Sequence, residues 1–131
     1  MRSSDMIADV AQFHQDITRQ DSPVNPTMVS PEFCLIRFKF LQEEADEFFD
    51  ATAEGDMVGA ADALADIIYV AIGTAYLMGI PLARVWDVVQ QANMRKVGGA
   101  TKRNPNDAIK PEGWVGPERD IAAILGKAIE L

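Results

Sequence analysis

Disulfide chemistry is absent from this chain, because it holds one cysteine, Cys34, and one thiol cannot form an internal bridge. A reducing, cytoplasmic setting fits that shortage. Beside Phe33 and Leu35, Cys34 itself is expected to be a small core residue. Histidine is equally scarce: His14 is the only one, and its place beside an apolar stripe predicts a surface or structural role. Bases are outnumbered, 12 against 20 acids, for a net charge of −8. Such a chain repels nucleic acid and anionic membrane unless its few bases cluster, so neither is an expected partner. No uncharged run reaches the ~20 residues of a membrane span; the longest runs from Ile67 to Ala83. The opening MRSSDMIADV has no continuous apolar core and does not read as a signal peptide.

What is present is a chain of 131 residues, 48% of them hydrophobic, expected to form one domain over residues 1–131. At this size roughly two-thirds of the unfolded surface is buried on folding. The apolar period is helical and no strand-like alternation persists, which predicts an all-α bundle of four to five helices. Met6, Val10, Phe13 and Ile17 mark a first helix over about Asp5 to Thr18. Pro23, Asn25, Pro26 and Thr27 break the chain. Ser30-Pro31-Glu32 reads as an N-cap, a first-turn proline and an acid matched to the dipole. The second helix should run to about Ala53, with Phe33, Ile36, Phe40, Leu41 and Phe48 in the core. Asp56 caps a third helix to about Met78. Gly79-Ile80-Pro81 then leads into a fourth, to about Val97, burying Leu82, Val85, Trp86 and Val89. Gly98 to Gly116 reads as a long basic loop without regular structure. Pro117-Glu118 opens a last helix with Ile121, Ile124, Leu125 and Ala128 on one side.

The acids fall in a pattern. Glu43, Glu44 and Glu47 share the second helix, where spacings of three and four bring carboxylates onto one stripe. Such like-charge pairs cost a few tenths of a kcal/mol each, and a cation between them reverses the sign. Acid runs of this kind are usually a solvated face. Asp62 and Asp66 are more telling, since they sit in Gly59-Ala60-Ala61-Asp62-Ala63-Leu64-Ala65-Asp66-Ile67-Ile68-Tyr69, among small and apolar residues. Buried carboxylates need a metal, a base or a proton. A short Gly55-Asp56 connection makes the two helices antiparallel. Glu47 lies eight residues before Gly55 and Asp62 seven after it, while Glu44 and Asp66 are each eleven away. The four carboxylates can thus meet at one depth, and hard oxygen ligands suit Mg²⁺ or Mn²⁺.

Gln42-Glu43-Glu44-Ala45-Asp46-Glu47, followed by Ala61-Asp62-Ala63-Leu64-Ala65-Asp66-Ile67-Ile68-Tyr69-Val70, resembles the MazG-like all-α NTP pyrophosphohydrolases. That superfamily includes dimeric dUTPases and phosphoribosyl-ATP pyrophosphohydrolases. Its hallmark is EExxE on one helix and ExxD on the next. Asn93-Met94-Arg95-Lys96 resembles the NxxK segment, and Lys110-Pro111-Glu112-Gly113-Trp114 the tail of the phosphoribosyl-ATP branch. The resemblance implies the all-α NTP pyrophosphatase fold and Mg²⁺-dependent hydrolysis of a nucleoside triphosphate to monophosphate and pyrophosphate. It implies Glu44, Glu47 and Asp66 as metal ligands, and Glu43 as either a group supporting those ligands or the base that activates water. Ala63 stands where the ExxD glutamate is expected, and Asp62, four residues before Asp66, is expected to supply the missing carboxylate.

Among the bases, Lys96 with Asn93 is expected at the substrate, and Lys102 and Lys110 in the long loop are candidates for its phosphates. Phe13, Trp114 and Asn25 are candidates for the base, with core packing the simpler role for Phe13. Arg37 either pairs with an acid or reaches a phosphate. The all-round apolar third helix predicts a homodimer or dimer of dimers. Two other functions compete: phosphoribosyl-ATP pyrophosphohydrolysis, and a non-catalytic metal-binding helical dimer.

Overall fold

The computed structural model describes residues 5–127. It is mostly helical, with five α-helices and one short antiparallel ribbon among the described residues, as the sequence predicts of an all-α fold. The chain divides into two compact units, one ending at Ile80 and the other beginning at Pro81.

In the first unit, α1 spans Met6–Phe13 and is capped by Asp5, whose carboxylate accepts from the Ala8 N–H. A π-helical stretch, His14–Thr18, continues it. The wider turn is closed by Gln20 N–H donating to the His14 carbonyl at 2.9 Å, and Arg19 ends it in the left-handed conformation, φ 57°. Helix α2 spans Pro31–Ala53 with Ser30 as N-cap and Pro31 in the first turn. Helix α3 spans Met57–Leu77, capped by Asp56 through the Gly59 N–H at 2.9 Å. The tight Glu54–Asp56 turn, with Gly55 at φ 72°, folds α3 back along α2. Buried Ala51, Ala60 and Ala63 let helix axes approach closely.

The segment after α1 is tied to the end of α3. Ser22 Oγ donates to the Tyr76 carbonyl, Tyr76 OH to the Gln20 carbonyl, and Thr27 N–H to the Met78 carbonyl. Gly79 makes this possible: its φ is 67°, and a Cβ there would stand 2.9 Å from the carbonyl oxygens of both Pro23 and Asn25.

The expected core is only partly enclosed. Phe33, Leu41 and Phe48 are half-buried, but Ile36 and Phe40 are exposed, as are Met6, Ile17 and Cys34. Ile36 and Phe40 line a cavity against α1 and α3. Leu64, Ile68 and Tyr69 likewise leave an apolar strip of α3 open. By length and composition alone α3 also meets the measure of a membrane span, although it carries Asp62 and Asp66.

In the second unit α4 spans Leu82–Met94, with Pro81 at the N-cap. It stops short of Val97 because Val97 enters a strand. The segment expected to lack regular structure instead holds strands β1 (Val97–Gly99) and β2 (Asp107–Ile109), paired antiparallel with Val97 opposite Ile109. Arg103 and Thr101 both bind the Asp107 carboxylate and stiffen the connection. Helix α5, Glu118–Leu125, ends at Gly126 with φ 67°. Ile121, Ile124 and Leu125 are half-buried, Ala128 lies outside the described residues, and Trp86, expected to be buried, is 64% exposed.

Candidate metal centre and adjoining pocket

Glu44 and Glu47 project from one stripe of α2, and Asp66 from the facing turn of α3. One carboxylate oxygen from each lies within 4.8 Å of the other two. The equal distance of Glu44 and Asp66 from the Gly55 turn predicts their meeting, and the antiparallel pair of helices delivers it. Glu44 is half-buried, and its Oε2 is enclosed without a hydrogen-bond partner. Burial first, then the neighbouring Glu47 and Asp66, push the Glu44 carboxyl up to about 7. Its contact with Glu47 becomes a hydrogen bond only when one of the two carries a proton, since ionised carboxylates only accept. Three converging carboxylates and an enclosed oxygen with no donor fit a hard divalent cation, which would take the place of that proton.

Glu43 is exposed, one residue and about 100° round the helix from Glu44. Asp62 is exposed and stands outside the three-residue group, and Ala63 is buried at 1% exposure. The structure therefore gathers three of the four acids expected to share one depth.

A cavity of about 570 Å³ adjoins this group and shares Asp66 with it. Phe13, Phe40 and Tyr69 supply its aromatic wall, and His14 and Arg37 its polar part. Phe13 meets Tyr69 edge-on at 5.4 Å and His14 at 5.3 Å, while the His14 ring stacks on Tyr76 at 5.5 Å. His14 is 3% exposed. Burial and the Arg37 charge hold its pKa below the usual value, partly opposed by Gln20. Arg37 lies over the Phe40 ring and is anchored on α3: Nε donates to Thr74 Oγ1 at 2.9 Å and Nη2 to the Val70 carbonyl at 3.1 Å. Phe13 is half-buried and lines the cavity, as do His14, expected in a surface or structural role, and Arg37, expected to pair with an acid or reach a phosphate. The available signals were weak: the four-residue spacing from His14 to Thr18, and Gly73 within α3.

In the second unit Lys96 and Lys110 both lie against Trp114, with Nζ 5.2 Å and 5.1 Å from the ring centroid. The indole Nε1–H donates to the Ala92 carbonyl at 2.8 Å, which fixes the ring under both ammonium groups. Asn93, in the last turn of α4, and Lys102, in the β1–β2 connection, are exposed.

No curated protein matches the chain. The family model for phosphoribosyl-ATP pyrophosphohydrolase matches residues 10–93, well over half of the sequence, and that span contains Glu44, Glu47, Asp66 and every pocket residue named above. Helices of the predicted order, the carboxylate group between α2 and α3 and this match agree: the chain belongs to the phosphoribosyl-ATP pyrophosphohydrolase family, in the MazG-like all-α superfamily, and is a hydrolase of phosphoric anhydrides.

Proposed function

We propose that the chain is a Mg²⁺-dependent nucleoside triphosphate pyrophosphohydrolase, releasing the monophosphate and pyrophosphate. The observation that carries this is Asp66, which belongs both to the carboxylate group and to the wall of the aromatic cavity. A group that can hold a cation and a pocket sized for a base thus share a residue, as a nucleotide's phosphates and base require.

Glu44, Glu47 and Asp66 would hold the ion, and Mn²⁺ suits the same oxygen donors. When bound, such an ion screens the phosphate charge and polarises the anhydride. Glu43, beside the group and open to solvent, orients the attacking water and accepts its proton. Asp62, one turn before Asp66 on α3, adds a carboxylate for a further cation contact in place of the glutamate missing at Ala63. The aromatic wall takes the base. In the second unit Lys96 and Lys110 offer ammonium groups fixed on Trp114, and with Asn93 and Lys102 we assign them to substrate phosphates. The open strip on α2 and α3 supports a homodimer or dimer of dimers, checked by sedimentation at micromolar concentration. The net charge of −8 argues against nucleic acid and anionic membrane as partners, and a cytoplasmic location fits the single cysteine.

The test is a pyrophosphate-release screen over nucleotides with Mg²⁺ and Mn²⁺, repeated with Glu47→Ala and Asp66→Ala. Release from ordinary triphosphates that both variants abolish supports the proposal. The family match favours a second substrate, phosphoribosyl-ATP; turnover of that compound alone would select it. A metal-induced rise in melting temperature with no turnover of any nucleotide would leave a structural metal site only.

A further inference from the structure

We infer that Gly73 is a positioning residue that sets how large a base the cavity beside Asp66 admits: with no side chain, it lets His14 and Arg37 lie back against α3 and leaves depth for a two-ring base. The inference rests on the proposal that this cavity holds the base of a nucleotide.

Gly73 is buried in α3, between the two residues that anchor Arg37. The guanidinium donates through Nη2 to the Val70 carbonyl, three residues before Gly73, and through Nε to Thr74 Oγ1, one residue after it. Thr74 Oγ1 passes its own hydrogen to the same carbonyl at 2.7 Å, which closes the network. The guanidinium therefore crosses the helix over Gly73. A Cβ there would stand 2.9 Å from Arg37 Nη2 and 2.6 Å from His14 Nε2. Both distances lie well inside the ~3.5 Å at which packed carbon atoms come to rest, so each group would have to move.

The direction of that movement is fixed by the surroundings. Thr18 Oγ1 lies 2.9 Å from His14 Nδ1, and Phe13 and Tyr76 flank the His14 ring. Arg37 gives way at the end of its side chain, by leaving the Val70 carbonyl. With α3 behind both groups, the open side is the cavity that both line. A methyl group at position 73 thus shortens the cavity at two points of its α3 wall. As it stands, the cavity holds about 570 Å³, within the usual size of small-molecule sites. A fused two-ring purine reaches further into such a space than a one-ring pyrimidine and meets a displaced wall first. One methylene too many in a close-fitting pocket changes discrimination by about tenfold or more.

The experiment is calorimetric binding of the α,β-imido analogues of dATP, dGTP, dUTP and dCTP, with Mg²⁺, to the whole chain, to Gly73→Ala and to Gly73→Ala/His14→Ala. The parent should bind purine members. In Gly73→Ala these should weaken at least about tenfold more than the pyrimidine members, while Mn²⁺ binding is kept. Removing His14, the closer of the two groups, should return the purine-to-pyrimidine ratio toward that of the parent. A general loss of packing would weaken all four analogues alike and would not be reversed by a second truncation. A ratio unchanged in Gly73→Ala, or a parent that binds pyrimidines and excludes purines, overturns the role of Gly73 and leaves the pyrophosphohydrolase reading standing. Binding of none of the four by the parent overturns it together with the base assignment. Should Gly73→Ala not fold, recovery of folding and purine binding in the double variant upholds the clash with His14; if neither folds, the parent decides, purine binding upholding the inference and purine exclusion overturning it.

Discussion

Two carboxylate groups in this chain have opposite electrostatics. Between α2 and α3, Glu44, Glu47 and Asp66 converge with no base among them, and the Glu44 carboxyl rises to about 7. In the ribbon, Asp107 accepts from Arg103, from Thr101 and from the Ala108 N–H, and its carboxyl lies well below the usual range, chiefly through the Arg103 and Thr101 hydrogen bonds. One group is satisfied by its own chain; the other is completed only by a cation or proton from outside. Unbalanced charge gathered by rigid helices is the mark of a binding site, whereas a balanced pair of this kind is a local staple.

The largest effect should come from breaking the unbalanced group. Glu47→Ala or Asp66→Ala should lower pyrophosphate release by at least about a hundredfold, with far-ultraviolet circular dichroism unchanged. Activity near that of the parent chain would show that the cation is held elsewhere.

Next in size is the pH dependence of the metal-free chain. The folded pKa of Glu44 lies above its ordinary value, so between pH 4.5 and about 7 the folded state binds more proton than the unfolded one. This contribution to stability is full below pH 4.5 and is lost as pH rises through 7. His14 opposes it, since its lowered pKa destabilises the fold as pH falls below 6.5. The two separate in Glu44→Gln, which should melt higher than the parent at pH 8 in EDTA and lose that gain by pH 4.5. Mg²⁺ should raise the melting temperature of the parent and not of the variant. A melting difference independent of pH would place the destabilisation outside Glu44.

Trp114→Leu should have a smaller effect. It frees Lys96 and Lys110 from their common ring, and if both meet substrate phosphates KM rises several-fold with little change in kcat. An unchanged KM would make these lysines solvated charges. Asp107→Asn should do least: amide exchange in the β1–β2 ribbon accelerates while the global melting temperature stays put. In the parent the Asp107 contribution is present above pH 3.8 and lost as pH falls below it, the reverse of Glu44.

Much of this was legible in the sequence because it is local. Ser30, Asp56 and Gly55 mark helix ends through hydrogen bonds and backbone angles set within a few residues. The meeting of Glu44 with Asp66 followed from counting outward from one turn. Counting puts Asp62 at the same depth but carries no information on which way its side chain faces. The His14 and Arg37 pocket was not legible, because it needs α1, α2 and α3 to converge around Gly73. Strands of three residues are too short for alternation to show. The exposure of Ile36 and Phe40 follows from the cavity they line, which no periodicity reports.

The most direct measurement is Mn²⁺ binding, followed by electron paramagnetic resonance, in the parent chain, Glu47→Gln, Asp66→Asn and Glu43→Gln. The account predicts a site in the parent and in Glu43→Gln that is weakened at least about tenfold in the other two. Equal binding by all four proteins would contradict it.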